Sequence, residues 1–288
     1  MLKGTRMNTT EIKTSPGIVL IHGAATTPRI WPLVSTQLAK RLPGVNIAIP
    51  ERNSSGDLDT EIKDLWSKCS GQIAVGVSGG ATLAWELCAR GCPLAGAVIH
   101  EPAAGSLVPG LLSYPGSAWT GWRNKHNETA TSSEWQQWCR SAAEVFGHRL
   151  YGNSWTPEEL PRNSEAVLRD YLMFSQFEPR KPVRSNTTLT IGALSPKLRY
   201  DVSACFFEHF GVSSIVIPDA SHCVQLENPA GFAETIAEVY RAATNANNAG
   251  TTSHFHLELT EHPHCEETRR FTTSSPYGTG TLRSQCDA

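Results

Sequence analysis

The chain has 288 residues, 40% hydrophobic and 18% charged, and its 25 Lys and Arg against 27 Asp and Glu leave a net charge of -2. That composition supports a sizeable core, which argues against wholesale disorder, and it lacks the basic excess of a general nucleic-acid binder. No stretch approaches the roughly 18 apolar residues of a membrane span, and the polar start from Met1 to Gly17 has no apolar leader segment. Eight cysteines are too sparse for a disulfide scaffold and read as reduced thiols of a cytoplasmic protein.

In chain order, Ile18-Val19-Leu20-Ile21 is a β-branched apolar run that reads as a strand buried on both faces. Ile30, Val34 and Leu38 then recur at helical spacing up to the breaker Pro43-Gly44. A second strand is expected at Asn46–Ile49, and an amphipathic helix through Leu58, Ile62, Leu65, Trp66 and Cys69. Ile73–Val77 reads as a third strand, Ala81–Ala89 as a helix closed by Gly91, and Ala95–Ile99 as a fourth strand. Strands alternating with helices predict an α/β fold, a mostly parallel sheet covered on both faces.

The alternation stops between Glu101 and about Arg184. That stretch holds five of the eight Trp (Trp119, Trp122, Trp135, Trp138 and Trp155), with helical patches at Glu134–Phe146 and Ser164–Phe174. It reads as an inserted helical cap whose aromatics mostly pack, some of them lining an apolar cavity. The rhythm resumes with a strand at Leu189–Gly192, a helix near Val202–Phe210 and a strand at Ser214–Ile217. Asn228-Pro229 is an N-cap and first-turn pair for a last helix striped by Phe232, Ile236, Val239 and Tyr240. The expected organisation is a core of residues 16–104 and 185–243, a cap of 105–184, and disordered termini at 1–15 and 244–288. The tail carries His254, His256, His262, His264 and Cys265, but their spacing fits no familiar metal site.

Three loops carry the chemistry. Gly76-Val77-Ser78-Gly79-Gly80 fits G-x-S-x-G, with a buried strand before it and a helix after it, so the Ser78 hydroxyl projects above the sheet edge. His22-Gly23-Ala24-Ala25 ends the first strand. Ala24, together with Gly79 after the serine, offers N–H groups to a developing oxyanion, while His22 shapes the loop by hydrogen bonding. Pro218-Asp219-Ala220-Ser221-His222 follows the last strand and places His222 where a base reaches Ser78.

These residues and their order resemble the α/β-hydrolase superfamily over roughly Pro16 to Arg241. The resemblance rests on the His-Gly loop, the serine elbow, the segment His222 to Pro229 and the central cap. It implies Ser78 as nucleophile and His222 as general base. Most members carry their acid in the loop that here reads Ala193-Leu194-Ser195-Pro196-Lys197, which has no carboxylate. Some, lactone-opening ones among them, take it from the earlier strand end, which here reads His100-Glu101-Pro102. Glu101 is therefore the expected acid and Asp201 the reserve.

The activity implied is cleavage of an ester or lactone of a small, largely apolar substrate through an acyl-enzyme, with no cofactor and no metal. The expected partner is that small molecule alone, on a monomer or homodimer, with no nucleic acid. Carbon–carbon hydrolases, perhydrolases, cofactor-free dioxygenases and a slow-turnover receptor share the fold and stand as alternatives.

Overall fold

A computed structural model describes residues 15–111, 132–183 and 186–249. Six strands form one sheet: β1 (Ile18–Ile21), β2 (Ile47–Ala48), β3 (Ile73–Val77), β4 (Gly96–His100), β5 (Thr187–Gly192) and β6 (Ser214–Ile217). They pair in parallel in the order β2-β1-β3-β4-β5-β6. β1, β3 and β4 are buried along their whole length, as their apolar sequences, interrupted only by His100 at the end of β4, require of strands covered on both faces. β2 is shorter than the expected Asn46–Ile49, because only Ile47 and Ala48 pair with β1 at this sheet edge.

Eight α-helices accompany the sheet among the described residues: α1 (Pro32–Arg41), α2 (Leu58–Cys69), α3 (Gly79–Ala89), α4 (Ser132–Tyr151), α5 (Glu165–Ser175), α6 (Lys197–Phe210), α7 (Val224–Glu227) and α8 (Pro229–Ala249). The chain leaves β1 toward β2 and returns past β1 to β3. Right-handed crossovers therefore put α1 on one face and α2, α3 and α6 on the other. The packing agrees. α8 lies on α1 and on β4, while Trp85 of α3 meets Phe206 of α6 edge to face at 4.5 Å. The strand order reverses between β1 and β3, so a crevice opens there at their carboxyl ends, the usual binding place in such sheets.

α4 and α5 are inserted between β4 and β5; α4 runs beyond its expected patch at both ends, and α5 is displaced from its own by one residue. Among the described residues the insertion clusters with the sheet rather than apart from it. Part of its attachment is a buried ion cluster. Arg52, after β2, holds Glu61 of α2 at 3.1 Å and Asp170 of α5 at 2.8 Å, and its guanidinium lies 5.6 Å from the Phe174 ring centroid. α6 starts five residues before the expected Val202, directly after Pro196, which puts Arg199 on its buried face with Val202 and Phe206. α8 runs past Thr244 to Ala249, because its Ala-rich end has helical propensity without an apolar stripe. Residues 1–14, the tail beyond 249 with its histidines, Trp119 and Trp122 lie outside the described residues. Among the described residues no helix is long and apolar enough to cross a membrane, and no acidic, His and Cys cluster has the geometry of a metal site.

Candidate active site

Each site residue stands in a sharp turn at a strand's carboxyl end. Ser78 ends β3 with φ 57° and ψ -120°. Ala25 after β1, Glu101 after β4 and Asp219 after β6 also have positive φ, at 56°, 50° and 52°. Such backbone costs about 1–3 kcal/mol per residue and persists only where the surroundings enforce it. The elbow shows how. A Cβ on Gly76 would strike the Gly80 backbone, and one on Gly80 would strike the carbonyl of Ile21, so α3 starts hard against β1 and β3. Ser78 N–H donates to His100 O at 2.9 Å, and the Ser78 carbonyl accepts the first helical bond from Thr82 N–H.

The loop after β1 is pinned from both sides. Gly23 O accepts from Thr26 Oγ1 at 2.9 Å and from His22 Nδ1 at 3.1 Å, which fixes the peptide plane carrying the Ala24 N–H. His22 accepts the Arg52 N–H at Nε2, and burial and then Arg52 hold its pKa down at about 3, so the ring is neutral. From the insertion, Tyr151 Oη donates to Ala24 O at 2.8 Å and Trp155 Nε1 to Ala25 O at 3.0 Å. The Ala24 N–H and the start of α3 at Gly79 lie side by side: Ala24 N is 3.1 Å from where a Cβ on Gly79 would stand.

The loop after β6 brings His222 against Glu101. Glu101 Oε2 accepts from His222 Nδ1 at 2.7 Å, and both side chains are buried. The other oxygen, Oε1, accepts from Gly192 N–H at 3.0 Å and from the Ser195 hydroxyl. The loop after β5, which has no acid of its own, thus supplies the donors that orient an acid from β4. Behind it His100 accepts from Thr190 Oγ1 at Nδ1 and donates through Nε2 to Ser221 O at 3.1 Å, which steadies the backbone next to His222. Asp201 lies elsewhere, ion-paired with Lys197 at 2.7 Å on the outer side of α6.

Burial would raise the Glu101 carboxyl, but His100, His222 and Arg199 outweigh it and hold the group well below the usual carboxylate range. Burial, then the Arg199 charge, pushes His222 down to about 4 against the pull of Glu101, so its ring is neutral with the proton on Nδ1. Arg199 Nε stands 3.4 Å from Glu101 Oε2, its Nη1 donates to the carbonyls of Glu101 and Pro102, and its Nη2 approaches His222 Nε2 at 3.4 Å. Among the described residues no hydrogen bond joins Ser78 to His222. The Tyr151 ring stacks on the His222 ring at 5.3 Å, and its hydroxyl lies beside that of Ser78.

A narrow cavity of about 20 Å³ rises from Ser78, Gly79 and Ala24. Among the described residues, Phe146, Leu150, Tyr171 and Phe174 of the insertion wall it, and Arg199 is the cation on its lining. The described tryptophans of the insertion pack, as most of its aromatics were expected to. Trp155 grips Ala25, while Trp135 and Trp138 stack on each other at 5.4 Å. Sequence reasoning also missed Arg199, Ser195, His100 and Tyr151. Arg199 had a readable signal, since Arg199, Val202 and Phe206 share one helical stripe.

The profile of the alpha/beta hydrolase family matches residues 18–235. A search of curated protein sequences finds no match. Among solved structures, haloalkane dehalogenase DbeA from Bradyrhizobium elkani aligns with a TM-score of 0.56 at 14% identity, over 81% of this chain and 92% of its own. NosK from Streptomyces actuosus aligns at 0.53 and 16% identity, over 80% and 99%. A thermophilic esterase from Thermogutta terrifontis aligns at 0.52 and 16% identity, over 80% and 91%. At these identities the likeness concerns the fold.

Proposed function

Because the chain belongs to the alpha/beta hydrolase family, we propose that it is a serine hydrolase that cleaves an ester or lactone of a small substrate through Ser78, His222 and Glu101. The observation that carries this reading is the 2.7 Å contact between Glu101 Oε2 and His222 Nδ1, with Glu101 held from behind by Gly192 and Ser195. A carboxylate in that position keeps the proton on Nδ1 and the lone pair on Nε2, and it stabilises the imidazolium that forms when Ser78 gives up its proton.

Ser78 Oγ then attacks the carbonyl, and its proton passes to His222 Nε2. The N–H groups of Ala24 and Gly79 receive the oxyanion. His222 returns the proton to the leaving alcohol, and a water activated at Nε2 releases the acid from Ser78. The insertion between β4 and β5 acts as the cap, with its apolar wall excluding water from the cavity. Every group named comes from one chain, so the reading holds for a monomer or a homodimer. Cys69, Cys88, Cys139, Cys205 and Cys223 form no disulfide, in keeping with a reducing compartment such as the cytoplasm.

A panel of p-nitrophenyl esters and lactones, run on wild type and Ser78→Ala, tests the reading. Multiple turnover that falls by orders of magnitude in the variant supports it. More than about a tenth of wild-type activity left in the variant would remove Ser78 from the role, since loss of a triad nucleophile costs on the order of a millionfold. Ligand binding without turnover would favour a receptor on the same fold.

A further inference from the structure

Arg199 is more than a structural tie. Its Nη1 and Nε already face the carbonyls of Glu101 and Pro102 and the Glu101 carboxylate, which anchors the turn after β4. Its Nη2 arm is turned the other way, to His222 Nε2, the atom that must take the Ser78 proton. That contact is unproductive, because a donor on Nε2 occupies the lone pair, and a fixed cation opposes the imidazolium of the transition state. Among the described residues the insertion contributes Phe146, Leu150, Tyr171 and Phe174 to the lining, and none of these is a carboxylate that could draw Nη2 away. A guanidinium arm at such a wall, its other nitrogens already engaged, suits a charge-assisted hydrogen bond to a carboxylate.

We propose that Arg199 is the specificity residue of this pocket: its Nη2 arm receives a carboxylate borne by the substrate within a few bonds of the scissile carbonyl, and in doing so leaves His222 Nε2 to Ser78. The substrate class is therefore a short monoester of a dicarboxylic acid, an acylated hydroxy acid, or a lactone bearing a carboxylate. A neutral ester fits the apolar wall but leaves Arg199 on the base. The anionic substrate supplies both its own recognition and the release of the catalytic histidine. The assignment rests on the serine-hydrolase reading for its consequence in turnover, but not for the binding of the carboxylate.

Two arms test it separately. In the first, kcat/KM is measured by proton release for matched pairs: monoethyl adipate against ethyl hexanoate, with the carboxylate on the acyl side, and 4-acetoxybutyrate against butyl acetate, with it on the alcohol side. Wild type is expected to prefer the charged member of at least one pair by about 10- to 100-fold, the range of a charge-assisted hydrogen bond. Arg199→Met should bring that ratio within about twofold, mainly through KM, and Arg199→Lys should restore part of it. In the second arm, Ser78→Ala protein, which needs no turnover, is titrated with monoethyl adipate and with 4-acetoxybutyrate. The ligand of the favoured side should bind, move the His222 Nε2 nitrogen resonance as Arg199 leaves it, and bind at least tenfold more weakly once Arg199→Met is added. Wild type that favours the neutral member of both pairs, or loses both members equally in Arg199→Met, would overturn the proposal. Binding in the second arm without any turnover in the first would sink the hydrolase reading and leave the carboxylate site standing. No binding of either ligand beside active ester turnover would do the reverse.

Discussion

Glu101→Gln isolates the charge and the hydrogen-bond polarity of the acid while keeping its volume. In the native site one carboxylate oxygen accepts from Gly192 N–H and Ser195, and the other from His222 Nδ1. An amide has one acceptor and one donor. Gly192 N–H is an obligatory donor, so the amide oxygen turns to it and the NH₂ group faces His222. The imidazole must then present the Nδ1 lone pair and carry its proton on Nε2, where it cannot accept from Ser78. The opposite amide orientation keeps the tautomer but sets NH₂ against Gly192 N–H, at a cost of about 1–3 kcal/mol for the buried unpaired donor. The corresponding Asp→Asn change in a serine-protease triad lowers kcat by about 10⁴ through the wrong tautomer. Turnover here should fall by about 10³ to 10⁴, or about 4–5.5 kcal/mol of transition-state stabilisation at 1.36 kcal/mol per decade. The assay is kcat/KM on the best ester of the panel, with circular dichroism and melting to establish that the variant is folded. A folded variant losing less than tenfold would refute the tautomer reasoning, as would an equal loss in Asp201→Asn, whose carboxylate pairs with Lys197 away from the site.

The acid limb of kcat/KM should fall near pH 4 rather than 6.5, because burial and Arg199 depress His222, while Glu101 raises it, and His100 and Tyr151 pack on its other sides. A limb at 6.5 or above would contradict that arrangement. The same depression sets a sign for stability: between 6.5 and about 4 the unfolded chain binds a proton at His222 that the folded chain does not, so stability falls with falling pH across that window. Urea midpoints that rise on acidification from 6.5 would show the sign to be wrong. Arg52→Met leaves Asp170 and Glu61 buried without their counter-charge, so it should cost about 3–5 kcal/mol and lower the melting temperature by several degrees. A loss under about 1 kcal/mol would mean that the cluster is not what fastens α5 to the sheet. Gly80→Ala places a methyl group on the Ile21 carbonyl, so the protein should be insoluble or strongly destabilised, and a variant with wild-type melting would overturn the close packing of α3 on β1.

Most of the fold was legible because its signals are local. β1 and β3 are unbroken apolar runs and β4 is one up to Ile99, and the elbow needs small residues within five positions of one another. Glu101 was suggested by the family resemblance, and the sheet edge allows it, since β4 and β5 lie next to each other and His100 is in register with Thr190. What stayed hidden depends on contacts between distant segments. Ser195 and Gly192 meet Glu101 across more than ninety positions, and Tyr151 and Trp155 reach the loop after β1 from the insertion. No local pattern encodes such partners. Arg199 was obscured for a different reason, in that Leu194-Ser195-Pro196 reads as loop and delays the apparent start of α6. Pro196 instead sits at the helix's N-terminal boundary, where proline is at home.

The central claim is that Ser78 becomes covalently attached to the group it cleaves. A fluorophosphonate probe followed by intact-mass and peptide mapping tests it most directly. The account predicts one adduct per chain, on the peptide containing Ser78, absent in Ser78→Ala and formed at least a hundredfold more slowly in His222→Ala. An adduct on another residue, or ester turnover that persists after Ser78 is fully modified, would contradict it.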